Sequence, residues 1–165
     1  EMHRAIKQLK PDKAPGVDLV PNEGLKNLPE NWNIILLKLL NNIFEEETIP
    51  PPLAKIDLIM SYKKEDPQDP NNYRPIALIC TILKLLTQII AKRLLTWAES
   101  FEILPEAQAG FRRSRSCTDQ IFTLNSIVQL QTATNNNTYT IFVDFKDAFD
   151  SIDHELLWNK LYLTG

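Results

Sequence analysis

Hydrophobic and polar positions change period several times along the chain, and each change predicts an element. Met2, Ile6 and Leu9 fall at helical spacing in a short opening segment that Pro11 stops, ahead of a Pro/Gly/Asp loop from Lys13 to Pro21. Trp32, Ile35, Leu36, Leu39, Leu40, Ile43 and Phe44 recur every three or four residues, predicting an amphipathic helix with this stripe in the core. The acidic run Glu45–Glu47 stands at the helix's C-terminal end, where the dipole disfavours negative charge. It is expected to fray, and Pro50, Pro51 and Pro52 bar continuation. The period then drops to two. Ile56, Leu58 and Met60 alternate with Asp57, Ile59 and Ser61; a turn-rich loop KKEDPQDPNN follows, and Ile76 to Ile79 supply a second strand. Helical spacing returns at Ile82, Leu85, Leu86, Ile89, Ile90, Leu94 and Trp97, predicting a helix over about 82–98 with Thr81 as its cap. Arg93 falls on that stripe and must snorkel or pair with an acid.

Farther on, Ser116 and Asp119 have capping-box spacing for another helix, and the polar run TATNNNT is a loop. Tyr139, Ile141, Val143 and Phe145 alternate with Thr140, Phe142 and Asp144, which predicts a strand ending beside a carboxylate. A charged turn carries Lys146, Asp147 and Asp150 around Ala148 and Phe149. Ser151 and Asp153 then offer cap chemistry, and Leu156, Leu157 and Leu161 mark the expected buried face of a last helix. The sum is an α+β chain with many helices and few strands.

Composition narrows this picture modestly. The 165 residues are 44% hydrophobic and 24% charged, ordinary for a globular unit. Net charge is −3, so nucleic-acid contacts must come from local basic patches rather than from the chain as a whole. No apolar run is long enough for a membrane span, and the start has no signal-peptide pattern, so no membrane partner is expected. Cys80 and Cys117 lack zinc-site or disulfide-framework spacing, which fits a reducing compartment.

Candidate chemistry gathers in four places. Asp144, at a strand end facing a turn, is a natural ligand for a hard divalent cation, although turn and cap aspartates look the same. Lys63, Lys64 and Arg74 surround one hairpin tip, as a phosphate site or as a solvated face. Arg112, Arg113 and Arg115 stand beside Phe111 and a helix start, as a phosphate-backbone site or as a solvated loop. Lys10 and Lys13 lie on a surface loop that reads equally as a connector.

Each of these four places carries a resemblance. FVDFKDAFDSIDHELLW resembles the first palm motif of reverse transcriptases, F-x-D-φ-x-x-A-F-D, in the form carried by non-LTR (LINE-like) retrotransposons. The stretch KKEDPQDPNNYRPIALI is similar to the family's finger hairpin, K-K-G-D-x-x-x-x-x-N-Y-R-P-I-S-L, with Ser61 where proline is usual and Glu65 where glycine is. QAGFRRSRS resembles G-F-R-x-x-R-S, with Arg113-Ser114 replacing the usual Pro-Gly. The loop KAPGVDLVPNE is also similar to the segment ahead of the fingers, with Val17 and Leu19 replacing proline and glycine. The blocks stand in the family's order over almost the whole chain.

The resemblance implies the fingers and the opening of the palm of a right-hand polymerase, its palm sheet incomplete. Residues 1–54 would be a helical N-terminal extension, 55–138 the fingers, and 139–165 the beginning of the palm, in one continuous unit. Asp144 would be the catalytic carboxylate and, with the Phe145 carbonyl, would ligate Mg2+ or Mn2+ in two-metal catalysis. Arg74 and one of Lys63 and Lys64 would grip the incoming deoxynucleoside triphosphate, and Phe149 would exclude a ribose 2′-hydroxyl. Lys13, Gln108, Gly110, Phe111, Arg112 and Arg115 would approach template or nucleotide. Implied partners are an RNA template, a DNA primer, deoxynucleoside triphosphates, and the rest of the palm and the thumb. The family implies an intracellular setting, cytoplasm or nucleus.

The family's second palm motif, Y/F-x-D-D, does not occur in these 165 residues, so the chain is expected to be inactive by itself. Asp150 is expected to cap the coming helix rather than bind metal. The chain would be an excerpt of a longer polymerase or the product of a decaying element. Alternatives are a non-catalytic nucleic-acid-binding remnant using the finger arginines, and an unrelated phosphohydrolase using Asp144 and Asp147. With its palm sheet unfinished, the strand at Asp144 is expected to present an open edge, and the isolated fragment to be marginally stable or to aggregate.

Overall fold

The computed structural model describes residues 1–146 and 148–164, so the alternative role for Asp147 lies outside the described residues. They divide into two compact units, Glu1–Gln108 and a second beginning at Ala109.

In the first unit, α1 (Met2–Gln8), α2 (Asn22–Lys26), α3 (Glu30–Glu46), β1 (Ile56–Tyr62), β2 (Tyr73–Ile79) and α4 (Thr81–Ser100) follow in order. Met2, Ala5, Ile6 and Leu9 from the first segment, Leu36, Leu40 and Ile43 from α3, and Cys80, Leu83, Leu85 and Leu86 at the start of α4 form its core with Leu25. Burying each leucine or isoleucine contributes roughly 1.5–3 kcal/mol, which is what holds these short helices in place. The expected α3 stripe is only partly core: Leu36, Leu40 and Ile43 are buried, whereas Trp32, Ile35 and Phe44 are each about half exposed. Helical spacing says which residues share a face, not how much of that face is covered. The acidic run does not fray, either. Glu45 and Glu46 complete α3, and Glu47 closes it in the left-handed conformation at φ 53°.

The expected hairpin forms as β1 and β2, antiparallel, with Ile56 opposite Ile79 and Ser61 opposite Arg74. Its apolar residues remain largely exposed, Leu58, Ile59 and Met60 among them.

At the foot of the hairpin, the loop before α2 docks against the β2–α4 junction. A side chain on Gly16 would put its Cβ 2.6 Å from the Cys80 amide nitrogen and the Ile79 carbonyl, so only glycine permits this approach. Asp18 accepts from the Thr81 amide (3.2 Å), and the buried Thr81 hydroxyl donates to the Val20 carbonyl. Thr81 is thus the first residue of α4 rather than its cap. The cap is Cys80, whose Sγ accepts from the Leu83 amide and donates to the Leu53 carbonyl, both at 3.4 Å. Farther along α4, Leu94 is exposed despite its place on the stripe, and Leu83, off the predicted stripe, is buried. Arg93 resolves its conflict by pairing with an acid: it forms an ion pair with Glu1 and lies 5.2 Å over the Phe44 ring. The guanidinium holds the Glu1 carboxyl below the usual glutamate range.

The second unit contains α5 (Cys117–Ala133) and α6 (His154–Thr164). The capping box at the start of α5 is complete: the Asp119 amide donates to Ser116 Oγ (3.3 Å) and the Ser116 amide to Asp119 Oδ2 (2.8 Å). Asp153, rather than Asp150, caps α6, accepting from the Glu155 and Leu156 amides at 2.9 and 3.1 Å. Neither helix buries a residue, so the face expected from Leu156, Leu157 and Leu161 is at most partly covered. The expected strand over residues 139–145 does not form. Alternation provides a strand with a face but not with hydrogen-bonding neighbours, and among the described residues the only sheet is β1–β2. Tyr139, Ile141, Phe142, Val143 and Phe145 are all at least three-quarters exposed. No helix among the described residues is long and apolar enough to cross a membrane.

Candidate nucleic-acid interface

The tip of the hairpin is built by its register. Because Ser61 pairs with Arg74 and Tyr62 with Tyr73, both strands end where the loop begins. The Lys63 amide donates to the Asn72 carbonyl (2.8 Å), extending the ladder one step into the loop. A turn of 3-10 helix over Pro70–Asn72 then returns the chain to β2, with Asp69 accepting from the Asn71 amide. Lys63, Lys64 and Arg74 thereby converge, with Ser61 and Tyr62, on one open recess of about 370 Å³. All three cations are solvent-exposed. A guanidinium fork beside ammonium point charges suits polyphosphate oxygens. Lys64 is engaged by its neighbour, its Nζ lying 3.6 Å from the Glu65 carboxylate. Both side chains are exposed, so this pair is weak and solvent-screened.

Lys13 is exposed on the loop that Gly16 and Asp18 pin to the other end of the hairpin. From Arg74 to Ile79 a strand spans about 17 Å, so Lys13's loop anchors well away from the cationic tip. Gly16 and Asp18 have direct structural work in that anchoring.

In the second unit, Phe111 and Phe149 meet edge to face, their ring centroids 6.0 Å apart. Both rings are otherwise largely exposed, so the contact makes a free-standing aromatic pair. Arg112 is half-buried, its amide donating weakly to the Ala109 carbonyl (3.5 Å), and Arg115 is exposed just before the α5 capping box. Gln108 closes a turn at the end of the first unit, its amide donating to the Pro105 carbonyl at 2.9 Å, and Gly110 is exposed in the next turn.

Asp144 and Phe145 lie in the uncovered segment before α6, both exposed. Among the described residues no three histidines, cysteines, aspartates or glutamates are grouped as a metal site. The described residues therefore do not fit a complete two-metal centre.

Asn72 and Tyr73 fall in the hairpin motif and hold the loop with Tyr62, but the patterns gave none of the three that role and did not show the Asp18–Thr81 contact. An aromatic at each strand end, flanking a loop rich in Asp, Asn and Pro, was the available sign of the first.

The described residues form a mixed helix-and-hairpin chain whose hairpin cations line one exposed recess. Comparison gives the class: residues 62–164 match the model of the reverse transcriptase (RNA-dependent DNA polymerase) family. The chain belongs to the reverse transcriptase family, in its non-LTR retrotransposon branch. It is 32% identical over 162 residues to a probable RNA-directed DNA polymerase from transposon BS of Drosophila melanogaster, covering 98% of this chain and 18% of that protein. It is 30% identical over 162 residues to the RNA-directed DNA polymerase from the mobile element jockey of Drosophila funebris, covering 97% and 18%. Against a Pol polyprotein from a type-1 retrotransposable element R2 of Popillia japonica, identity is 27% over 165 residues, covering 100% and 22%. The chain thus spans about a fifth of the length of the curated relatives it matches.

Proposed function

We propose that this chain supplies the fingers and the opening of the palm of a right-hand RNA-directed DNA polymerase, with residues 55–138 as fingers, 139–165 as the start of the palm, and 1–54 as a helical extension. The observation that supports it best is the convergence of Lys63, Lys64 and Arg74 on one recess at the hairpin tip. There Arg74 and Lys63 bind the triphosphate of an incoming deoxynucleotide, while Lys64 is partly neutralised by Glu65. Phe149 selects deoxynucleotides by bulk, propped edge-on by Phe111. Arg112 and Arg115, with Gln108, Gly110 and Lys13, contribute contacts to an RNA template and DNA primer. Magnesium or manganese would supply electrostatic stabilisation of the reacting oxygens when bound. Asp144, with the Phe145 carbonyl, contributes only part of its ligand set, and the remaining carboxylates come from the rest of the palm.

By itself, then, the 165-residue chain does not extend a primer. The test is primer extension on an RNA template with deoxynucleotides and magnesium or manganese. It compares this chain, the full product of its reading frame, and that product with Asp144→Asn or Arg74→Ala. Synthesis by the full product alone, abolished by Asp144→Asn, is the expected result. Arg74→Ala is expected to raise the nucleotide KM by roughly tenfold or more, the worth of a charge-assisted contact. Synthesis by the short chain would refute the shared-site reading.

A second reading, a decayed element's remnant that binds nucleic acid without synthesis, draws on the backbone. Leu19, Glu65 and Ser114, each at a place where the family resemblance puts glycine, adopt φ of 53°, 74° and 57°. Retained RNA binding with no synthesis in any form would favour it.

A further inference from the structure

The two lysines sit at the start of a ten-residue loop, Lys63–Asn72, that has no core beneath it. A loop of that length would ordinarily scatter its charges. Here three successive backbone carbonyls are each held by a side chain from the returning strand or the hairpin neck. The Tyr62 hydroxyl donates to the Glu65 carbonyl, Asn72 Nδ2 to the Asp66 carbonyl (3.0 Å), and the Tyr73 hydroxyl to the Pro67 carbonyl (2.9 Å). Tyr62 and Tyr73 are themselves a cross-strand pair, with ring centroids 5.5 Å apart and planes tilted by 59°. Cross-strand partners share a face, and successive positions alternate, so the two rings stand on the face opposite Ser61 and Arg74. Tyr62 also borders the recess, and the two hydroxyls hold the loop through the Glu65 and Pro67 carbonyls, just after Lys64.

We propose that Tyr62 and Tyr73 are positioning residues for the hairpin's polyphosphate site, using their hydroxyls to fix the loop so that Lys63 and Lys64 face Arg74. This rests on reading Lys63, Lys64 and Arg74 as phosphate-binding, but the tie itself can be read without any ligand. Removing either hydroxyl leaves the ring pair intact and releases one carbonyl.

The test titrates inorganic tripolyphosphate into the chain and its Tyr62→Phe, Tyr73→Phe and Arg74→Ala variants at low salt. It also follows ligand-free tryptic cleavage after Lys63 and Lys64 by mass spectrometry, with urea unfolding as the control. Each phenylalanine variant is expected to bind about threefold to tenfold more weakly, the net worth of one hydrogen bond, and to be cut faster at the loop. Its urea midpoint stays unchanged, because the loop lies outside the core of the first unit. If the phenylalanine variants bind like the parent while Arg74→Ala weakens binding, the positioning role is wrong and the phosphate site stands. Unchanged cleavage at Lys63 and Lys64 would also overturn the positioning role. If the parent does not bind, or Arg74→Ala binds as well as the parent, the phosphate reading falls and the positioning role falls with it. Weaker binding accompanied by a lower urea midpoint would make the tyrosines merely structural.

Discussion

The two units of this chain use the same local chemistry and reach different ends. The first gathers twelve buried apolar residues between Met2 and Leu86 into one core. The second has well-capped helices and no buried residue in either of them. Its α5 has a complete capping box, better than anything in the first unit, yet Ile121, Phe122, Leu124, Ile127, Val128 and Leu130 are all exposed to varying degrees. At 3.6 residues per turn these six fall on every side of the helix, the pattern of a helix meant to be surrounded. Caps decide where a helix starts; they do not supply what it packs against. The second unit is therefore a set of locally specified elements whose apolar side chains find no core among the described residues.

Core substitutions should separate the units most sharply. Leu85→Ala, at a wholly buried position, is expected to cost about 2–5 kcal/mol in urea unfolding, the usual range for such cavities. Phe122→Ala on α5 should change the same transition by less than about 0.5 kcal/mol, as exposed substitutions do. Similar losses at both sites would erase the distinction. Next in size, Gly16→Ala forces a methyl against backbone at 2.6 Å and is expected to cost about 1–3 kcal/mol. Its loss would be seen as loosening of the loop before α2 by hydrogen exchange at the Thr81 amide.

Smaller effects of opposite sign sharpen the contrast. Leu19→Gly relieves a left-handed φ of 53° and should stabilise the first unit by roughly 0.5–1 kcal/mol. Ser114→Gly relieves a φ of 57° in the second unit but should leave the cooperative transition where it is. A shift from Ser114→Gly equal to that from Leu19→Gly would show that the second unit shares the transition. The smallest effect is acid sensitivity. Arg93 lowers the Glu1 pKa, and the Asp12 amide, donating at 2.7 Å, lowers that of Glu23, both from 4.5. A depressed folded-state pKa stabilises above the unfolded value and is lost as pH falls through the folded one. The urea midpoint of the first unit should therefore drop on acidification below pH 4.5, and drop less in Glu23→Gln.

What the sequence made legible follows the range of the interaction. The hairpin was readable because a period of two before a Pro/Asp/Asn loop and an apolar run after it set strands and turn within two dozen residues. Ser116 and Asp119, three apart, were readable as a capping box for the same reason. The α4 cap was misassigned by one residue because Thr81 is occupied 61 residues away, at Val20. The five residues of α2 are too short to show a period. Trp32, Ile35 and Phe44 had the right spacing, and the strand expected at Tyr139–Phe145 had the right alternation, but each lacked a covering layer or a neighbour that pattern alone cannot supply. Among the candidate site residues, Lys63, Lys64 and Arg74 were legible as a group because one hairpin register carries them together. The meeting of Phe111 with Phe149, 38 positions apart, was not.

The chain's two thiols carry one more consequence. Cys80 is sealed at the foot of the first unit's core, and Cys117 opens α5 in full contact with solvent. An alkylating dye therefore labels Cys117 at once and reaches Cys80 only when the core opens. The unmodified protein thus carries its own reporter: the lag between first and second label measures how readily the first unit's core opens.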